Sequence, residues 1–261
     1  GYKLNSRQIK RNAFIGTKVN VVLNKSTQKE HCARSFNDIK ILIEKSELPQ
    51  IVKLNSIEIF RRLGKAEAKV HGTTINKVHF HEVGAIDSIV DIVGGSIGMN
   101  LLSADLIVSS AINTGEGMVK CKHGTLPIPA PATLELLKGI PCFSRGIKKE
   151  LTTPTGAAFI GHFSEKFGSL PHMRVLSTGY GAGTMEIKEI PNLLRVVLGE
   201  IKETSQNRSM KMIETNIDDM NPEFYDHVTD QLFKAGAVDV FFAPVNMKKN
   251  RPGTLLSIIA P

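Results

Sequence analysis

The chain has no tryptophan, only three cysteines, and no uninterrupted apolar run of membrane-spanning length. Each shortage excludes something. Cys32, Cys121 and Cys142 are odd in number, widely spaced and outside any CxxC pattern, which argues against a disulfide scaffold and for a reducing compartment. The longest apolar stretch, Ile86 to Leu102, carries Asp87 and Asp91 and is amphipathic, so it is too short and too polar to span a bilayer. Gly1 to Arg11 is polar and basic with no apolar run behind it, unlike a secretory signal. A soluble, cytoplasmic protein without membrane partners is the expectation.

The net charge of +8 is a surplus of one sign, but it is unevenly placed. Residues 1–54 hold eleven Lys/Arg against four Asp/Glu, and the rest of the chain is nearly neutral. No aromatic side chains interleave with these basic residues, so solvated helix faces are the better reading and no nucleic-acid partner is expected.

What is present is enough for a core: 41% of the 261 residues are hydrophobic, which suits one large domain or two smaller ones. Residues 1–30 mix basic and apolar residues, with one strand expected at Lys18 to Leu23. Helical spacing covers Arg34 to Leu48 and Ile51 to Val70, then changes to period two at Lys77 to His81. It returns to helical from about Ala85. Leu106 to Ser109 reads as a buried strand, and the Gly- and Pro-rich Asn113 to Pro131 as a long loop. Helices follow at Ala132 to Lys138, closed by Gly139, and at Ala157 to Phe167. A glycine-rich loop at Gly179 to Gly183 precedes a strand, Leu193 to Leu198.

Polar Lys202 to Ser209 reads as a linker, giving an α/β domain over 1–201 and a second domain over 210–261. In the second, a strand from Lys211 to Asn216, a helix opened by Asn221-Pro222, and strands at Val238 to Ala243 and Thr254 to Ile259 form a β-α-β-β pattern. That is the start of a ferredoxin-like unit. Lacking the second helix and fourth strand, it is expected to be truncated at its C-terminus. The fold class is therefore α/β (α+β), a larger N-terminal α/β domain followed by an incomplete ferredoxin-like one.

The densest chemistry lies between His79 and Asp91. A strand puts His79 and His81 on one face about 7 Å apart. The chain turns at Gly84, and a helix then sets Asp87 and Asp91 on one face at i, i+4. Gly94, Gly95 and Gly98 continue that stripe without side chains, allowing a ligand or a backbone to approach. With Glu82, two imidazoles and up to three carboxylates suit a divalent ion, whether Ni, Zn, Fe or Mn. The alternative is a polar sheet face with solvated aspartates. Glu67 and His71 are a weaker addition, equally explained as an i, i+4 helix pair.

His123 sits before a run with prolines at alternate positions, Pro127, Pro129 and Pro131, stiff enough to hold it in place. A rigid connector with a surface histidine explains it equally. Thr153 and Thr155 open a helix, where amides and hydroxyls suit a phosphate or carboxylate; plain capping by Thr155 is also consistent. Gly179-Tyr180-Gly181-Ala182-Gly183 lacks the third glycine and the following helix of a dinucleotide fingerprint. In the tail, Asp218 and Asp219 suit a hard cation such as Mg²⁺ or Mn²⁺, and Lys248, Lys249 and Arg251 suit phosphates. Together they suggest a metal–nucleotide triphosphate, against the alternative of ordinary turns with solvated charges.

These blocks, in order, resemble the nickel-insertion (LarC) family of the nickel-pincer cofactor pathway. The resemblance is carried by Ala66 to Gly72, His79 to Gly94, His123-Gly124 to Ala132, Glu150 to Ala157, Gly179 to Gly183, Pro191-Asn192, Asn216 to Glu223, Gly236 to Val240 and Met247 to Gly253. It covers roughly residues 33–261; family members have a further N-terminal segment and continue beyond Pro261. The resemblance implies insertion of Ni²⁺ into pyridinium-3,5-bisthiocarboxylic acid mononucleotide by a lyase-class chelatase that uses CTP and Mg²⁺ or Mn²⁺.

Carried onto this chain, nickel would fall to His79, His81, Asp87, Asp91 and His123, with Glu82 and Asp87 catalytic. CTP and its metal would fall to Asp218, Asp219, Lys248, Lys249 and Arg251, with Thr153 and Thr155 as further anion contacts. A homo-oligomer is expected. Two rivals use the same His/Asp block: a metal-dependent hydrolase working without CTP, and a non-catalytic nickel chaperone.

Overall fold

The computed structural model describes residues 1–23, 34–80, 86–121, 124–201 and 210–261, with the backbone alone at His79. Helices and strands are mixed, as an α/β chain requires. By their internal contacts they fall into two compact units, Gly1–Ile201 and Lys202–Pro261. Among the described residues no helix is long and apolar enough to cross a membrane.

The first unit opens with a hairpin, β1 (Tyr2–Arg11) and β2 (Phe14–Leu23), paired antiparallel along its whole length. This corrects two expectations: residues 1–23 hold two long strands, and the basic Lys3, Arg7, Lys10, Arg11 and Lys18 stand on strands, not on helix faces. Periodicity missed β1 because neither of its faces is deeply buried. Next come β3 (Arg34–Ser35) and α1 (Phe36–Glu44). Ser35 and Asp38 close a capping box: the Ser35 hydroxyl accepts the Asp38 N–H at 3.2 Å, and the Asp38 carboxylate accepts the Ser35 N–H at 2.9 Å. The helix buries Phe36, Ile39 and Ile43 at the expected spacing but ends before Leu48.

Then α2 (Gln50–Val70) runs through the middle of the unit. The period-two segment after it contracts to a 3-10 turn, Ile75–Lys77, and a two-residue strand, β4 (His79–Phe80). The long α3 (Ile86–Leu102) follows. The core is a cluster in which Ile59, Phe60 and Leu63 of α2, Phe80, Ile92 of α3 and the α1 isoleucines exclude solvent. Phe60 and Phe80 meet edge-on at 6.2 Å. Val78 and Phe80 both point into this core, which fixes one face of the segment that carries His79.

Short strands come next, β5 (Val108–Ser109) and β6 (Ile112–Asn113). The expected loop at 113–131 contains an antiparallel hairpin, β7 (Met118–Cys121) and β8 (Gly124–Pro127), with Cys121 opposite Gly124. Alternation over four residues is too short to outweigh the flanking Gly and Pro in a reading of sequence. After it come α4 (Pro131–Leu136), β9 (Cys142–Phe143), α5 (Pro154–Phe163) and β10 (Lys166–Phe167). Residues 166 and 167 therefore leave the expected helix for a strand parallel to β5.

The unit closes with β11 (Arg174–Ala182) and β12 (Leu193–Glu200) in a four-stranded sheet of order β1-β2-β11-β12. Gly179 to Ala182, expected in a loop, are strand: β12 pairs antiparallel along one side, and β2 meets Gly181 on the other. Pairing on both sides overrides glycine's poor strand propensity.

In the second unit β13 (Lys211–Ile217), α6 (Tyr225–Lys234), β14 (Asp239–Met247) and β15 (Arg251–Ala260) form an antiparallel sheet of order β13-β15-β14. The last strand lies between the first two, the split arrangement of a β-α-β-β unit. A 3-10 turn, Pro222–Phe224, precedes the helix, and Asn221 accepts the Glu223 N–H at 3.1 Å. Tyr225 of α6 stacks on Phe242 at 4.6 Å, and its hydroxyl donates to Thr254 Oγ1 at 3.0 Å.

Candidate functional site

A cleft of about 1830 Å³ lies in the first unit. Its wall carries Asp87, Ser88, Asp91 and Gly95 along α3, Glu67 and His71 from the end of α2, and Cys121 from β7. The start of α5, Thr152 to Gly156, faces the same space. The i, i+4 spacing of Asp87 and Asp91 thus puts two carboxylates on the cleft side of α3. Asp87 Oδ1 accepts the Ser88 N–H at 2.8 Å.

The Asp91 carboxyl titrates above the ordinary carboxylate range. Partial desolvation is the larger cause, repulsion from Asp87 the second, and the positive charge of Lys18 works the other way. A cation beside this carboxyl would offset both its partial desolvation and the repulsion from Asp87. Glu67 Oε2 lies 3.4 Å from His71 Nε2 on α2.

Among the described residues no three His, Cys, Asp or Glu come together as a metal site. His81, Glu82 and His123, all expected in the site, lie outside the described residues, and His79 is placed by its backbone only. His79 stands on β4, eight residues before Asp87 of α3.

Thr153, not Thr155, caps α5: its Oγ1 accepts the Gly156 N–H at 3.3 Å, while Thr155 lies inside the first turn after Pro154. Both line the cleft. The Thr152 hydroxyl donates to the Asn113 carbonyl at 2.8 Å, tying this end of the cleft together. The bare stripe on α3 is only partly open. Gly95 lies against the Phe159 ring, whereas Gly94 and Gly98 have nothing within 4 Å of a notional Cβ.

In the second unit the acidic and basic loops share one end of the sheet. Ile217 pairs with Thr254, so Asp218 and Asp219 leave β13 beside the start of β15. Lys248 and Lys249 fill the β14–β15 connection, which closes on the Met247–Arg251 pair. Lys249 and Asn250 both hold left-handed backbone, at φ 64° and 55°, uncommon for residues other than glycine. Such strain persists where surrounding structure imposes it, often at functional turns.

One charge was missed by reasoning from sequence: the positive charge of Lys18, on β2, acts on Asp91. The strand expected at Lys18 to Leu23 placed Lys18 correctly, but only tertiary folding brings it to α3.

Known proteins resemble this chain along its whole length. A family model described as nickel insertion protein matches residues 1–261. The "Pyridinium-3,5-bisthiocarboxylic acid mononucleotide nickel insertion protein" of Desulfitobacterium hafniense (strain DSM 10664 / DCB-2) is 46% identical over 266 residues, covering 100% of this chain and 65% of its own length. The protein of the same name from Geobacillus kaustophilus is 43% identical over 274 residues, covering 99% of this chain and 67% of its own length. The chain thus spans about two thirds of these relatives. A solved structure described as "LarC2, the C-terminal domain of a cyclometallase involved in the synthesis of the NPN cofactor of lactate racemase, apo form" is 49% identical over 20% of this chain and 35% of its own. Its TM-score of 0.19 is too low to speak to the fold. With a family model matched from end to end and two relatives above 40% identity, the chain belongs to the nickel insertion protein family.

Proposed function

We propose that this chain carries out metal insertion, placing Ni²⁺ into pyridinium-3,5-bisthiocarboxylic acid mononucleotide, with CTP and Mg²⁺ or Mn²⁺ as co-substrate and activating ion. The observation that carries the reading is the Asp87/Asp91 pair on the cleft wall, in a chain whose relatives are named for this insertion. Nickel is substrate here, so the site must hold it and let it go. Imidazole and carboxylate ligands suit that task better than a closed thiolate cage, which binds structural metal tightly.

In this reading His79, His81, Asp87, Asp91 and His123 hand over the nickel, and Glu82 and Asp87 manage protons at the substrate. Thr153 and Thr155 present a polar helix start to anionic groups in the cleft. In the second unit Asp218 and Asp219 would hold the hard cation, while Lys248, Lys249 and Arg251 would meet the triphosphate. CTP would activate the dithio-acid with release of pyrophosphate before metallation, in a cytoplasmic homo-oligomer of lyase class.

The test is incubation of the purified chain with CTP, Mg²⁺, Ni²⁺ and the dithio-acid mononucleotide, following pyrophosphate and nickel incorporation. Pyrophosphate release with a metallated product is expected, as is its loss in H79A/H81A. Nickel binding without pyrophosphate would replace the enzyme with a carrier, and unchanged insertion in H79A/H81A would remove the histidines from the nickel role.

A further inference from the structure

We infer that the outward face of the four-stranded sheet pairs with the same face of a second copy of this chain, about a two-fold axis running along β2 and β11. The pairing goes beyond the insertion chemistry proposed above and depends on none of it; it gives the proposed homo-oligomer a contact face.

Strand register sorts the sheet's side chains into two faces, because ladder partners point the same way and neighbours along a strand point opposite ways. Thr17 of β2 pairs with Gln8 of β1 and with Gly181 of β11, and Gly181 pairs with Leu194 of β12, so these four mark one face. Gly16, Ala182 and Leu193 lie on the other. There a Cβ at Gly16 would meet Leu193 Cδ2 at 2.6 Å and Ala182 Cβ at 3.1 Å, and Gly16 and Ala182 are buried. The Thr17 face is therefore the outward one.

That outward face is apolar and open. Tyr2, Leu4, Ile15, Val19, Leu194 and Val196 all stand on it, 45% to 63% exposed. Together they show solvent roughly 600 Å², the upper end of what a monomer leaves as one patch and close to the 800 Å² per partner of a standard interface.

Shape points to a second copy as the occupant. On this face β11 presents Ser177, Gly179 and Gly181, a bare strip between the apolar ridges of β2 and β12. A Cβ at Gly179 would meet nothing within 4 Å. Ile15 and Gly179 each stand two residues before the parallel Thr17–Gly181 pair, so they share a level, and Val196 lies opposite Gly179. The groove is one strand wide and takes one ridge. Because β2 and β11 are neighbours, a two-fold axis along them, midway between the two sheets, lays each β2 ridge over the other copy's β11 groove. Ile15 then meets Gly179 twice. A ridge and its groove on one patch are what an isologous contact requires.

Charge points the same way. The chain carries +8 overall, yet the hairpin puts Lys3, Arg7, Arg11 and Lys18 on the opposite face. The outward face keeps Lys10 on its outermost strand, and Glu200 paired with Arg174 at its far end. An acidic partner would find little to match there, whereas two copies of a basic protein can meet on it without strong repulsion. Leu194 and Val196 also line the cleft, so the contact would lie beside it.

The experiment is sedimentation velocity of the purified chain from micromolar to near-millimolar concentration, in low and high salt. A reversible association whose mass halves on dilution is expected, no weaker in high salt because buried apolar surface is not screened. I15S removes the ridge and G179L fills the groove, and each should weaken the association at least about tenfold while leaving the melting of the diluted chain unchanged. K3Q/R7Q, on the opposite face, should leave it as it is. A chain monomeric throughout overturns the contact, as does an association that either folded variant leaves as tight as wild type. An association abolished by high salt or by K3Q/R7Q overturns it too.

Discussion

Gly95 gives the sharpest test of how the cleft wall is built, because three glycines on one helix should respond with different signs. In a helix interior alanine is favoured over glycine by about 1 kcal/mol. At Gly94 and Gly98 a new Cβ meets nothing within 4 Å, so G94A and G98A should keep that gain. At Gly95 the Cβ would lie 2.5 Å from Phe159 Cε2 and 2.8 Å from Cζ, well inside contact. Phe159 cannot simply swing away, since its ring packs on Phe163 with centroids 4.8 Å apart, against the core. Overpacking of this kind costs about 1–3 kcal/mol. G95A should therefore lie between neutral and about 2 kcal/mol less stable than wild type, and about 1–3 kcal/mol below G94A. Urea unfolding at 25 °C reads all three, and G95A/F159L should recover most of the loss. If G95A matches G94A, or if the double variant recovers nothing, the α3–α5 contact is not what requires glycine.

Asp91 gives a pH test. Its folded-state pKa is raised by desolvation and then by Asp87, so the charged form is penalised in the native state. That penalty is absent below the unfolded value near 3.8 and grows as pH rises through the folded value. Asp91→Asn should melt higher than wild type at pH 7, with the advantage shrinking towards pH 3.5; a constant difference would refute the electrostatic account. Thr153→Ala should cost about 1 kcal/mol through the lost cap on Gly156, whereas Thr155→Ala should be near neutral, as read by chemical denaturation. Leu63→Ala, at a side chain with no exposed surface, should cost about 2–5 kcal/mol, and a loss under 1 kcal/mol would mean the core is not centred on α2.

Much of this protein was legible from local pattern alone. Phe36, Ile39 and Ile43 recur at helical spacing because one stripe of α1 must face the core, and Pro49 forbids the helix from continuing. Asp87 and Asp91 fall on one face because four residues are close to one helical turn. The order β-α-β-β in the tail likewise follows from element type and length. The membership in the nickel insertion family also stood in the sequence, in long blocks with unusual residue combinations.

The tertiary structure decided what local pattern could not express. The glycine-rich 179–182 segment becomes strand only because β2 and β12 flank it, and hydrogen bonds to distant partners leave no trace in local periodicity. The first strand of the N-terminal hairpin escaped notice because alternation shows only when one face is deeply buried, and here neither is. The same folding lets the charge of Lys18, on the hairpin, act on Asp91 of α3, two segments that share no motif. Residue type and short spacing suffice to single out candidate residues for the chemistry. Which charges surround them is a matter of three-dimensional proximity, and only the packing of hairpin and helix determines it.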